Sequence, residues 1–275
     1  MVQHTELTRR SNFILVLAVL WAFLVTPMAP DTTSDMPVEK GQAEIIYLCH
    51  SGWAVKTASA FLIFDYWERT QRPEKPSLSN GFIDPEEIRD QNVYVFVSHR
   101  HGDHYDERIW EWRGVIPKLT YVFGWQGEEA QGHEAFGKER TTMSLGPLKI
   151  KNIFHDFDGI PESAFLIEVD GLVIYFSGDH GNSGGALHPV YKDNIDFMSQ
   201  QAKGCDFIFL SIFGSPTYDG ELYAIDKFKP RMMLPMHFGG SEGSAKGFVQ
   251  VARAKFPKVM FWYPMKQGDS FTYKK

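Results

Sequence analysis

From Glu44 onward, short apolar runs alternate with polar, turn-forming breaks at a spacing that suits strands better than helices. EIIYLC (44–49), WAVKT (53–57) and AFLIFDY (60–66) are parted only by His50-Ser51-Gly52 and Ala58-Ser59, which predicts three strands in close succession. The polar, proline-bearing stretch 68–80 reads as a loop. Asp84-Pro85-Glu86-Glu87 reads as a helix start, with proline in the first turn and acids near the positive end of the dipole. VYVFV (93–97) is another strand, followed by a helix predicted from Asp106. LTYVF, LKIKNIF, AFLIEVD and LVIYFS add four more, the last two joined at Asp170-Gly171, a dipeptide suited to a two-residue hairpin turn. Helices predicted near 187–201, 221–228 and 245–256 then alternate with the strands FIFLSIF, RMMLPM and VMFWYP. Strands first, then strands alternating with helices, predict one mixed α and β domain in which two sheets pack together under helices.

The first 40 residues break that pattern. Arg9 and Arg10 precede an unbroken apolar run over 13–25, shorter than the roughly 20 residues a membrane span needs. A basic start and a short apolar stretch predict a signal peptide. Pro30 directly after Ala29 is a poor cleavage context, so a retained membrane anchor is the alternative. Pro27, Pro30, Asp31, Thr32 and Thr33 then read as linker. The chain divides accordingly into residues 1–40, signal or anchor plus linker, and a domain over 41–275 that is exported (periplasmic or extracellular) or membrane-anchored. A formal net charge of −6 argues against a general nucleic-acid binder. Cys49 and Cys205 each lie in or beside an apolar run and read as buried free thiols rather than a zinc site.

Candidate chemistry concentrates in His99-Arg100-His101-Gly102-Asp103-His104, directly after the strand 93–97. Alternate side chains of an extended segment point the same way, so His99 and His101 can reach one metal together. Gly102 permits a sharp turn, after which Asp103 and His104 project toward a neighbouring position. HRHGDH matches the HxHxDH signature of the metallo-β-lactamase superfamily, and the chain resembles that superfamily from about Glu44 to its C-terminus. His155 after LKIKNIF resembles the third histidine of the first metal site. Asp179 in Ser177-Gly178-Asp179 resembles the aspartate that bridges two ions. His237 in Leu234-Pro235-Met236-His237 resembles the last histidine of the second site. Leu48-Cys49-His50-Ser51-Gly52, with Asp65 ending AFLIFD, resembles the first hairpin of the branch containing ascorbate-phosphate lactonase and the N-acylethanolamine phospholipase D enzymes.

The resemblance implies an α+β fold, the four-layer αββα sandwich of the metallo-β-lactamases. It implies one metal on His99, His101 and His155 and a second on Asp103, His104 and His237, with Asp179 touching both; His133 and His188 are alternatives to His155. Imidazole and carboxylate donors suit zinc, with manganese or iron also admitted. The implied enzyme is a metal-dependent hydrolase that turns a hydroxide shared by two divalent ions on a small ester, lactone or amide. Asp103 would orient the nucleophile, and His180 would be a proton donor or substrate contact, or else support its neighbours. Tyr218 is a candidate for steadying an oxyanion, and the aromatic cluster around Trp110, Trp112, Tyr121 and Trp125 reads as core packing. The rival enzymatic reading is a metal-dependent phosphodiesterase. A rival of another class is a non-catalytic metal- or ligand-binding protein on the same fold. A small-molecule substrate is the expected partner, and no nucleic acid.

Overall fold

The computed structural model describes residues 37–157, 159–182, 186–213 and 217–275; the apolar run expected to be a signal or anchor lies outside them. No helix among the described residues is long and apolar enough to cross a membrane. Two seven-stranded sheets stack face to face. The first runs, in spatial order, β14 (Ser270–Lys274), β1 (Gln42–Cys49), β2 (Gly52–Lys56), β3 (Phe61–Phe64), β4 (Val93–Val97), β5 (Leu119–Phe123) and β6 (Glu134–Ala135). The second runs β13 (Met260–Phe261), β12 (Met232–Met236), β11 (Phe207–Ser211), β10 (Leu172–Phe176), β9 (Ile160–Val169), β8 (Leu148–Phe157) and β7 (Thr142–Leu145). In each sheet one side is antiparallel and the other parallel, β3 to β6 in the first and β10 to β13 in the second. Strands β4, β11 and β12 are buried on both faces, which is why they read as unbroken apolar runs.

Three apolar layers follow from this stacking. Between the sheets, Phe64 stacks on Phe96 and Phe176 at ring distances of 5.1 and 4.6 Å. On the outer face of the second sheet lie α1 (Pro189–Ser199), α2 (Asp219–Phe228) and α3 (Ala245–Lys255). Each buries one helical stripe there: Tyr191, Ile195 and Met198; Leu222, Ile225 and Phe228; Phe248, Val249 and Ala252. The fold is thus the expected α+β sandwich, with one difference in its outer layers. Among the described residues, the first sheet is covered not by α-helices but by turns and a 3-10 helix, Glu107–Gly114, capped by Asp106. Its buried residues Ile109 and Trp112 stand three apart, the repeat of a 3-10 helix. The expected helix at Asp84 is a series of turns, since its only buried apolar residue before β4 is Ile88.

Asp170 and Gly171 form the tight β9–β10 turn, with φ of 49° and 80°. The Asp170 carboxylate also reaches the first sheet, accepting from Thr57 Oγ1 at 2.7 Å and from Ser59 N and Oγ, both at 2.8 Å. Partial burial would raise its pKa, but these hydrogen bonds outweigh it and hold the group below the usual carboxylate range. A depressed carboxylate stabilises the fold above its unfolded value near 3.9 and loses that contribution as pH falls through the folded value. Asp170→Asn should therefore be less stable than the parent at pH 7, with a smaller further loss between pH 5 and 3 in urea titrations. Parallel curves across that range would contradict this. Phe64→Ala, which empties the centre of the inter-sheet stack, should cost about 3–5 kcal/mol in the same assay; a loss below 1 kcal/mol would show that the stack collapses around the gap.

Candidate metal centre

The side chains singled out by the sequence gather largely at one edge of the sandwich, beyond the carboxyl ends of the parallel strands. β3 delivers Asp65, β4 delivers Ser98 and His99, β10 delivers Asp179 and β12 delivers His237. The two sheets approach so closely there that a Cβ on Gly178 would lie 2.6 Å from that of Ser98; with φ at 54°, only glycine fits. His50, Asp65 and His237 also adopt positive φ, at 54°, 40° and 71°. Such backbone strain at three strand ends is held by the surrounding structure and marks a functional edge.

Asp65 organises the edge. Fully buried, it accepts from Ser98 N at Oδ1 and from Ser98 Oγ at Oδ2, both at 2.7 Å, and its Oδ2 lies 2.7 Å from His104 Nδ1. Because the Ser98 hydroxyl donates its hydrogen bond to Asp65, Ser98 Oγ accepts one from His99 Nδ1–H at 2.9 Å. One carboxylate thereby sets the Nδ1–H tautomer of His104 directly and of His99 through Ser98, leaving both Nε2 lone pairs facing Asp179. His104 Nε2 lies 3.2 Å from Asp179 Oδ1, His237 Nε2 lies 3.3 Å from the same oxygen, and His99 Nε2 lies 3.6 Å from Oδ2. Asp179 thus divides its two oxygens between two groups of histidines.

Electrostatics follow from that crowding. Burial opposes a charged His104, but Asp179 and Asp65 outweigh it and hold the pKa well above that of free imidazole, so a metal ion would displace a proton from Nε2 to reach its lone pair. Burial likewise penalises ionised Asp179, and the imidazoles of His104 and His237 reverse the effect and bring its pKa well below the carboxylate range. His99 is pushed down to about 3, first by burial and then by His104. Asp103, at the more open rim, is held low by the His50 imidazole, whose Nε2 lies 3.3 Å from its Oδ2.

These residues fit divalent metal ions. His104 Nε2 and Asp179 Oδ1 are buried and make no hydrogen bond, although burying a polar atom without a partner is costly. Two donors on a tetrahedral ion with bonds near 2.0–2.1 Å stand about 3.3 Å apart, the spacing seen around Asp179 Oδ1. Among the described residues, two sets bring ligand atoms within 4.8 Å of one another: His50, Asp103, His104 and His237, and His99, His104 and Asp179.

His101 and His155 belong to neither set. His101 Nδ1 lies 2.9 Å from His99 Nε2, on the exposed side of the cleft. His155 sits on β8 opposite Glu162 of β9, and its ring lies 5.7 Å from that of His180. The alternatives fall elsewhere: His188 caps α1, accepting from Val190 N, and His133 lies beside Arg113 and Trp110. His180 is buried under α1, where its ring stacks on Tyr191 and its Nε2 meets the Asn194 amide at 3.0 Å. Its ring packs against that helix. Tyr218 packs against Phe248 at the start of α2. Cys49 and Cys205 are free and buried, as expected.

Sequence reasoning assigned no role to Glu162, buried at the strand end with Oε2 3.7 Å from His99 Nδ1. Burial, reinforced by Asp179, raises its pKa well above the carboxylate range. Nothing in IPESAFLI marks it. Asp65, by contrast, announces itself as an acid closing an unbroken apolar strand.

The domain family described as "Beta-lactamase superfamily domain" matches residues 44–237. A UPF0173 metal-dependent hydrolase of Pyrococcus abyssi is 26% identical over 176 residues, 56% of this chain and 69% of that protein. One from Opitutus terrae is 26% identical over 215 residues, covering 72% of this chain and 85% of its own length. Among solved structures, Igni18, a metallo hydrolase of Ignicoccus hospitalis, superposes with a TM-score of 0.61 at 18% identity, over 85% of this chain and 99% of its own.

If Asp65 sets the histidine tautomers, Asp65→Asn should weaken zinc binding about 10–100-fold in competition with a chromophoric chelator. Unchanged affinity would show that His99 and His104 orient themselves without it.

Proposed function

The chain belongs to the metallo-β-lactamase superfamily, and on that premise we propose that it is a metal-dependent hydrolase of a small ester, lactone or amide, working with two divalent ions, zinc foremost. Its relatives of similar sequence carry the name metal-dependent hydrolase. The observation that carries the reading is the division of Asp179, with Oδ1 facing His104 and His237 and Oδ2 facing His99. Such a carboxylate suits a pair of ions far better than one.

His99, His101 and Asp179 would hold the first ion, and His104, His237, Asp179 and Asp103 the second. Ions so held would bring the pKa of bound water toward neutrality and polarise the oxygen that gains charge in the transition state. The protein's part is to orient and to exclude water. Asp65 and Ser98 keep Nε2 of His99 and of His104 turned inward. Asp103, half exposed beside His50, would orient the attacking group. Trp67, with its ring 5.6 Å from His50, and Phe213, 5.0 Å from His237, supply apolar wall to a substrate seated over the cluster. The acidic overall balance and the absence of a basic motif speak for a small substrate over a polyanion.

The purified protein is expected to hold about two metal equivalents by elemental analysis and to lose hydrolysis on treatment with a strong chelator. His99→Ala and Asp179→Ala should each bind less metal and reduce turnover by at least about two orders of magnitude. A panel of lactones, esters, amides and phosphodiesters would sort the substrate class. Unchanged metal content in both variants, or turnover of phosphodiesters alone, would defeat this reading.

A further inference from the structure

His50 lies within ligand distance of Asp103, His104 and His237, so geometry alone would count it as a ligand of the second ion. Its hydrogen bonds argue otherwise. The residue is 3% exposed and every polar atom but one is engaged. Its backbone N–H donates to Tyr47 Oη at 2.7 Å, and its carbonyl accepts from His237 N at 3.2 Å. Its Nδ1 accepts the backbone N–H of Gly239 at 2.8 Å. A ring nitrogen that accepts carries no proton, so in neutral imidazole the proton sits on Nε2. That nitrogen is buried, has no hydrogen-bond partner and points into the cluster, 3.3 Å from Asp103 Oδ2. A ligand must offer a lone pair, and Nε2–H has none to offer. His99 and His104 are held the opposite way round, with Nδ1–H engaged and Nε2 turned toward Asp179.

We infer that His50 stands beside the second ion as a fixed hydrogen-bond donor, not as a ligand, and presents Nε2–H to Asp103 and to the substrate oxygen that gains charge there. The substrate contact rests on the hydrolase reading above; the donor assignment rests on geometry alone. His50 is thereby a catalytic residue supplied by the first hairpin. The Tyr47 hydroxyl, which also lies 3.2 Å from Glu242 Oε1, and the Gly239 N–H brace it from both sheets.

The test uses the zinc-loaded full chain. Long-range proton–nitrogen correlation spectra should show His50 protonated at Nε2 and bare at Nδ1, the reverse of His99 and His104. His50→Asn keeps an acceptor for Gly239 N–H, tolerates positive φ and removes the Nε2 donor. It should retain the zinc content of the parent, whereas His104→Asn should lose zinc. On an ester or lactone that the parent hydrolyses, His50→Asn should lower kcat/KM by about 100-fold, the usual effect of deleting one transition-state donor. His50→Gln, whose longer amide again carries an N–H, should recover part of the loss. An Nδ1–H signal for His50, zinc loss matching that of His104→Asn, or full zinc with unchanged kcat/KM would each overturn the assignment. If the parent hydrolyses nothing, the hydrolase reading fails, while the spectra and zinc contents still decide between donor and ligand.

Discussion

A single carboxylate, Asp65, sits without access to water where β3, β4 and the histidine-rich loop meet. Burial raises its pKa, and the His104 imidazole and the Ser98 N–H and hydroxyl work against that rise. The anion keeps its place only while those three donors stay aimed at it. The same bonds dictate which nitrogen of each histidine carries a proton, and so which nitrogen is offered to the cleft. Without that constraint, His99 and His104 would be two rings at a strand end, free to turn either face inward.

The double-sheet architecture makes the constraint possible. Parallel strands in both sheets end at the same edge, so residues from β3, β4, β10 and β12 converge although they are far apart in the chain. Ser98 belongs to the first sheet, yet its carbonyl accepts from Ser163 N of the second, and Gly178 leaves room for its side chain. The layer between the sheets, centred on Phe64, Phe96, Phe176 and Phe209, holds that edge at fixed width. Packing far from the site therefore bears on the spacing of the residues within it.

Much of this was legible in the chain. Strands buried on both faces announce themselves as unbroken apolar runs, and His99, Asp179 and His237 stand out because each follows one closely. The strands that escaped notice are β6, only two residues long, and β7 and β14, whose side chains alternate with solvent and lack an apolar run. His155 occupies the right strand in sequence but is not gathered with His99, since its place depends on how β8 pairs with β9. Tautomers were out of reach altogether. They depend on bonds between Asp65 and His104, 39 residues apart, and between His50 and Gly239, 189 apart. No local pattern encodes such pairs.

The central claim is that Asp179 is shared by two ions whose histidines are aimed by Asp65. Anomalous diffraction at the zinc edge from crystals of the zinc-loaded protein addresses it most directly. Two peaks are predicted, one bonded to Asp179 Oδ1 with His104 and His237, the other to Oδ2 with His99. A single peak, or peaks that leave either Asp179 oxygen unbonded, would contradict it.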